Sequence, residues 1–175
     1  MHINYEFKAA CSNIRAAEQS LLEKAPRYIG TDHQVDTYFH APYGRLKLRE
    51  GSIENALIHY DRADTAGARE SKVILYQHQP GSSLKRLLTA ALGIKVVVDK
   101  MRKIYFIDNV KFHFDEVRGL GSFVEVEAID SDGSIGIAAL QQQCNVYAHL
   151  LGFSKDEFLS GSYSDMLLAK KSSTG

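Results

Sequence analysis

Four stretches of the sequence alternate ionised and apolar residues with a period of two: Glu6-Phe7-Lys8, Arg45-Leu46-Lys47-Leu48-Arg49, Lys111-Phe112-His113-Phe114-Asp115 and Glu125-Val126-Glu127. In an extended strand successive side chains point to opposite faces, so each stretch has one apolar side and one charged side. One stretch presents three cations, another two carboxylates, and the other two carry both signs. Gathered together, such faces line a cavity in which Arg and Lys hold phosphate groups and carboxylates hold the hard divalent cation that travels with them.

The numbers of charges suit a polyphosphate. A triphosphate carries about four negative charges near neutral pH, and several donors are needed to balance it where the dielectric is low. Lys100 and Arg102 add two cations on one face of a long extended run, and Arg62 and Arg69 flank a neighbouring loop. Glu6, Glu125 and Glu127 repel phosphate directly, but they suit Mg²⁺ or Mn²⁺, which prefer oxygen and bridge to phosphate oxygens. His113 shares a face with Asp115 and either meets the substrate or forms a local pair. The plain alternative is a sheet with one solvated face, in which Glu125 and Glu127 are merely ion-paired. Against it, Arg45, Lys47 and Arg49 stand side by side with no carboxylate between them.

Other chemistry lacks support in the sequence. None of the seven histidines shows HxxxH or HExxH spacing, so a histidine-based zinc site of the usual kind is not expected. No Walker-type or GxGxxG loop offers a helix-terminus phosphate cradle, and no motif supports Ser-His-Asp catalysis. Asp130-Ser131-Asp132-Gly133 lacks the remaining ligands of a calcium loop and reads as a turn.

The elements that must position these residues follow from periodicity and punctuation. Strands are expected at Ile3 to Ala9, Gln34 to Phe39, Arg45 to Glu50, Glu54 to Arg62, Ser71 to Gln79, Ile94 to Ile107, Val110 to Val117 and Ser122 to Ile129. Ser12 opens a helix that ends before Pro26, and Ser82 or Ser83 caps a second, Leu84 to Leu92, closed by Gly93. Ile135 to Leu151 has helical spacing, and a short helix is expected at Lys155 to Leu159. Residues 63 to 69 read as a polar loop. Tight turns favour antiparallel pairing. The fold class is therefore α+β, an eight-stranded antiparallel closed β-barrel with helices packed outside, because closure leaves no edges and encloses the charged faces.

Composition narrows the partners. The 175 residues suit one domain, expected over 1–169 with a disordered tail at 170–175. Lys plus Arg is 21, as is Asp plus Glu, a balance that argues against nucleic-acid or membrane-surface binding. No signal segment or membrane span is visible. Cys11 and Cys144 are read as reduced thiols in a cytoplasmic protein.

Several blocks together resemble the CYTH superfamily, the triphosphate tunnel metalloenzymes, which includes class IV adenylyl cyclases, thiamine triphosphatases and inorganic triphosphatases. Asn4-Tyr5-Glu6-Phe7-Lys8 resembles the ExExK signature, and Gln34 to Phe39 with Gly44 to Arg49 resembles QxDTYF followed by GRLxLR. Phe114 to Glu127 resembles LDEVxGLGxFxExE, and Ser162-Tyr163-Ser164-Asp165 resembles the terminal SYSDLL. The resemblance implies an eight-stranded tunnel that binds a nucleoside triphosphate or other triphosphate with Mg²⁺ or Mn²⁺. Glu6, Glu125 and Glu127 match metal ligands, with Asp115 a further metal or water-positioning group. Lys8, Arg45, Lys47, Lys100, Arg102 and Lys111 match phosphate-binding cations; Arg49, Arg62, Arg69 and His113 join the substrate-binding group. Lys8, Lys111 and Asp115 are the expected catalytic residues. Asn4 stands where the signature has its first Glu, removing a charged ligand. The QxDTYF and SYSD stretches look most like class IV adenylyl cyclases; a triphosphatase and a non-catalytic nucleotide or polyphosphate binder are the alternatives. Members of the superfamily are often dimeric, so a homodimer is compatible with the resemblance.

Overall fold

Charged faces that alternate along a strand require a closed sheet to bring them together, and that is the architecture found. The computed structural model describes residues 2–61, 69–81 and 83–173, with positions 2 and 69 described by backbone alone. Eight strands are present: β1 (His2–Ala10), β2 (Arg27–Phe39), β3 (Arg45–Gly51), β4 (Ala56–Asp61), β5 (Arg69–Gln77), β6 (Ile94–Ile107), β7 (Val110–Val117) and β8 (Gly121–Asp130). They close in the order β1-β5-β4-β3-β2-β6-β7-β8, every pair antiparallel. Register sets the lining. Lys8 lies opposite Glu125 and Glu6 opposite Glu127, Asp36 opposite Arg49, Gln34 opposite Lys100, Arg102 opposite Asp115 and His113 opposite Glu125. Directly paired residues share a face, so these side chains converge on one side of the wall.

The apolar positions between them bury outward. Phe7, Phe112, Phe114, Val124 and Val126 pack against Ala17 and Leu21 of α1 (Ile14–Leu22) and Leu140, Cys144 and Ala148 of α3 (Ile137–Leu150). Leu84, Leu88 and Leu92 of α2 (Leu84–Leu92) cover Phe39, Leu46, Leu48 and Leu57. The last helix, α4 (Tyr163–Ser172), sets Tyr163, Met166 and Leu167 against Val96, Val98, Val117 and Phe123. Val98 lies opposite Asp36 on the lining face, so the first turn of α4 packs into the barrel rather than onto its outer skin.

Differences from the sequence-based expectation have local causes. β2 begins at Arg27, seven residues before the expected Gln34, because the long β6 offers partners where Arg27 to His33 has no apolar alternation. Its register shifts between Tyr28 and Gly30. Asn13, not Ser12, caps α1, its side chain accepting from the Ala16 N–H at 3.2 Å. Gly93 ends α2 as expected, with φ 72°. At the expected tail of 170–175, α4 runs on to Ser172, and the Lys170 ammonium donates to the Gly119 carbonyl at 2.7 Å. A capping box between Ser162 and Asp165 starts that helix, which lets it extend through a small, polar sequence. Arg62, most of the expected loop over 63–69, Ser82 and the last two residues lie outside the described residues. Cys11 and Cys144 are free and buried. Among the described residues no helix is long and apolar enough to cross a membrane.

Candidate functional site

The barrel encloses a cavity of about 1170 Å³ whose wall includes Lys8, Lys47, Arg49, Lys100, Arg102 and Lys111. Glu6, Asp36, Glu54, Glu125 and Glu127 share the wall. Alternation along the strands puts them there: β1 supplies Glu6 and Lys8, β3 Lys47 and Arg49, β6 Lys100 and Arg102, β7 Lys111 and His113, and β8 Glu125 and Glu127. The charges are sorted into two hubs.

In the first hub one carboxylate serves three cations. Asp36 accepts from Arg49 Nε at 2.8 Å and Nη2 at 3.0 Å, from Lys47 Nζ at 3.1 Å and from Lys100 Nζ at 2.8 Å. Burial alone would raise the Asp36 carboxyl, but Arg49, Lys100 and Lys47 hold it well below the usual range. One negative charge cannot satisfy three cations. Burial, reinforced by Arg49, Arg102 and Lys47, depresses the Lys100 ammonium to about 7 despite Asp36 beside it. Glu54 extends this hub, accepting from Arg49 Nη1 at 2.9 Å, from Lys111 Nζ and from Gln34 Nε2 at 3.1 Å. The turn that carries Glu54 is tied down by Asp32, which accepts from Ser52 Oγ at 2.9 Å and from the Ile53 and Glu54 N–H groups at 2.8 and 3.0 Å. Gly51 makes that approach possible: a Cβ there would lie 2.8 Å from the Asp32 carboxylate and 2.6 Å from the Glu54 carbonyl.

The second hub is centred on Arg102. Its guanidinium grips Asp115 with two bonds of 2.6 Å and reaches Glu125 Oε2 at 2.8 Å. Tyr163 Oη donates to Asp115 Oδ2 at 2.6 Å. Lys8 Nζ lies 3.1 Å from Glu125 Oε1 and 4.1 Å from the centre of the Tyr163 ring. Burial pushes the Glu125 carboxyl up, but Lys8, the adjacent His113 and Arg102 hold it well below the usual range. Glu127 goes the other way. Burial, Glu125 and Glu6 push its carboxyl up to about 7, as expected where carboxylates gather.

Beside this hub lies the group of side chains suited to a metal. One ligand atom each from His113, Glu125 and Glu127 falls within 4.8 Å of the others. Two carboxylates and a buried imidazole fit a divalent ion by their chemistry. Burial and the neighbouring Arg102 depress His113 to about 3, which keeps the ring neutral. Asn4 also lines the cavity, and its buried Oδ1 has no hydrogen-bond partner among the described residues.

Most of the expected site residues meet here, with three departures. Asp115 has no exposed surface, is not among the lining residues of the cavity and is bonded by Arg102 and Tyr163. Arg45 is not among the lining residues of the large cavity; it bonds Asp165 Oδ2 at 3.0 Å and its guanidinium lies 5.9 Å from the Tyr60 ring centre. His113, expected at the substrate, belongs to the metal-suited group. Arg62 and the side chain of Arg69 are outside the described residues. The residues missed are Asp36, Glu54 and Tyr163. Asp36 had a signal, since it keeps the period of two with Gln34 and Tyr38; Glu54 sits in a turn and had none.

Comparisons with known proteins agree with the barrel. A family model described as CYTH domain matches residues 2–161. No curated protein matches the chain. Among solved structures, the PH1012 protein of Pyrococcus horikoshii OT3 superposes with a TM-score of 0.77 at 20% identity, covering 94% of this chain and 98% of its own. A candidate adenylate cyclase from Vibrio parahaemolyticus gives 0.72 at 18% identity, covering 95% and 98%. HpAC1 from Hippeastrum, a candidate adenylyl cyclase with a dominant triphosphatase activity, gives 0.61 at 11% identity, covering 98% and 96%. At these identities the likeness is one of fold.

Proposed function

The chain belongs to the CYTH domain family, and from that premise we propose that it is a divalent-metal-dependent enzyme that draws a nucleoside triphosphate or related triphosphate into its barrel. The observation that carries this reading is the gathering of six cationic side chains around one cavity, with the His113, Glu125 and Glu127 group in the same wall. Three of these cations, Lys47, Arg49 and Lys100, share the one carboxylate of Asp36, and a polyphosphate supplies further acceptors.

Under this proposal the wall residues take distinct parts. Lys47, Arg49 and Lys100 hold one stretch of the phosphate chain, and Lys8 and Lys111 hold another. Asp115 and Tyr163 fix the Arg102 fork, so the charge is in place before the substrate arrives. A divalent ion held by Glu125 and Glu127 supplies neutralisation of phosphate oxygens when bound. Lys100 is charged beside the bound anion and completes the grip of Lys47 and Arg49, and the proton of the attacking hydroxyl passes to solvent water. Cyclisation is the preferred reaction. The ribose 3′-oxygen bonds to the α-phosphorus, the bond from that phosphorus to the bridging oxygen breaks, and pyrophosphate leaves. The cavity favours a substrate with an organic group. Its volume is above the roughly 300–1,000 Å³ of ordinary small-molecule pockets, and Ile53, Tyr76, Leu84, Leu87 and Phe106 give part of its wall an apolar surface. Hydrolysis, with water attacking the terminal phosphorus and orthophosphate leaving, is the second reading. The same cations serve it, and HpAC1 combines a cyclase label with that activity.

The test is product identification after incubation with ATP or tripolyphosphate and Mg²⁺ or Mn²⁺. Cyclic AMP with pyrophosphate supports the first reading, and orthophosphate supports the second. Binding without turnover would reduce the protein to a triphosphate receptor, with Asn4 at the missing ligand position. No binding at all would overturn the proposal.

A further inference from the structure

The metal-suited group contains a nitrogen, which oxygen-only chemistry does not require. His113 lies on β7 between Lys111 and Asp115, and it is 1% exposed. Its Nδ1 is 3.4 Å from Glu125 Oε2 and 3.8 Å from Glu127 Oε1. Both separations are long for an N–H···O hydrogen bond, whose usual length is about 2.9 Å. They do fit two donors of one ion. Ligand atoms about 2.1 Å from a shared metal lie about 3.0 Å apart at right angles and about 4.2 Å apart when opposed.

The other ring nitrogen points the same way. Nε2 is buried and has no hydrogen-bond partner among the described residues. A buried polar atom without a partner calls for an explanation. If Nδ1 carried the proton toward Glu125, Nε2 would keep a bare lone pair; if Nδ1 is the lone pair, Nε2 carries a proton facing no protein acceptor. The second arrangement places the lone pair toward two carboxylates, which is unfavourable unless a cation lies between them. The proton on Nε2 then remains for a ligand oxygen in the cavity that His113 lines.

We infer that His113 is a metal ligand through Nδ1, completing a mixed nitrogen and oxygen site with Glu125 and Glu127 that selects a transition ion such as Mn²⁺ over Mg²⁺. This rests on the reading that those two carboxylates hold the ion. Imidazole suits first-row transition ions, the later ones best; Mn²⁺, the weakest binder of that series, accepts a nitrogen beside carboxylate oxygens, whereas Mg²⁺ keeps to oxygen. The nitrogen therefore adds affinity for one class of ion and little for the other.

Pulsed electron paramagnetic resonance of the full chain loaded with Mn²⁺ tests the inference without relying on turnover. The expected result is ¹⁴N coupling of directly bound imidazole, with frequencies that change on ¹⁵N-histidine labelling and a signal absent from His113→Gln. In calorimetry, His113→Gln is expected to lower Mn²⁺ affinity by at least about tenfold, since even outer partners of metal ligands are worth about 10–100-fold, while Mg²⁺ affinity changes less than threefold. His113→Asp, which restores an oxygen donor, is expected to narrow the preference for Mn²⁺. Mn²⁺ bound at a site lost in Glu127→Gln but showing no nitrogen coupling would overturn the role of His113 and leave the carboxylate site standing. Mn²⁺ binding unaffected by Glu125→Gln and Glu127→Gln, or no binding at all, would overturn both. Should His113→Gln fail to fold, the labelled wild-type spectrum decides alone.

Discussion

Asp36→Asn removes one negative charge from the middle of the Lys47, Arg49 and Lys100 hub and changes almost nothing in volume. The carboxylate is 1% exposed and takes four donors. An Asn there keeps one acceptor oxygen and turns an NH₂ toward cations. Removing one partner of a buried ion pair costs about 3–5 kcal/mol. At about 2–4 °C per kcal/mol for a chain of this size, the melting temperature is expected to fall by roughly 6–20 °C. Tripolyphosphate should then stabilise the variant more than the wild type, because the anion meets three cations that no longer share a central carboxylate. A tenfold tighter complex adds about 1.4 kcal/mol at a fixed ligand excess, or about 3–6 °C on the same scale. Thermal unfolding with and without tripolyphosphate, at low and high salt, reads both effects. An unchanged melting temperature would refute the view that Asp36 compensates the hub. A ligand-induced shift no larger than that of the wild type would refute the view that it competes with the substrate for those cations.

Triphosphate binding is expected to take up protons around pH 8, because Lys100, at about 7 in the free protein, regains its charge beside the anion. Calorimetry in buffers of different ionisation enthalpy measures the uptake, and heats that do not depend on the buffer would contradict it. Acid should unfold the barrel: Asp36, Glu54, Asp115 and Glu125 all have depressed folded-state values. Their contribution is complete above the unfolded values of about 3.9 for Asp and 4.3 for Glu, and it is lost as pH falls through the lower folded ones. Urea titrations at pH 6 and pH 3 should show the midpoint dropping, and equal midpoints would be inconsistent with these ion pairs. Lys47→Ala should weaken tripolyphosphate binding by about 1.5–3 kcal/mol, roughly tenfold to a hundredfold. Arg45→Ala, which alters a contact to Asp165 outside the large cavity, should change it less than threefold. Equal losses would return Arg45 to the binding wall.

The strands were legible because charge and grease exchange places at every residue, and closure was legible because like-charged faces and short antiparallel turns call for a sheet without edges. β1, β3, β7 and β8 show it directly, and their apolar partners Phe7, Phe112, Val124 and Val126 needed only helices to cover them. The first half of β2 was not legible, since Arg27 to His33 holds its place by pairing with β6, a contact far away in sequence. The cations were identifiable one by one, but their compensation was not. That Asp36 answers three of them, and that Asp115 meets both Arg102 and Tyr163, depends on register and on distance. Glu54 belongs to a turn whose position is set by Asp32 and by the space beside Gly51. Neither dependence leaves a periodic trace.

The long pairing of β2 with β6 limits how this protein can diverge. Each residue along those strands looks either into the chamber or away from it, and its neighbour looks the other way. Deleting one residue midway through β6, just before Lys100, would turn Lys100 and Arg102 outward and point Met101 and Lys103 into the cavity, reversing the polarity of the wall downstream. No flanking edge could absorb the slip, because every strand is already bound on both sides. Length changes are thereby confined to the turns, and new specificity has to come from exchanging side chains in place.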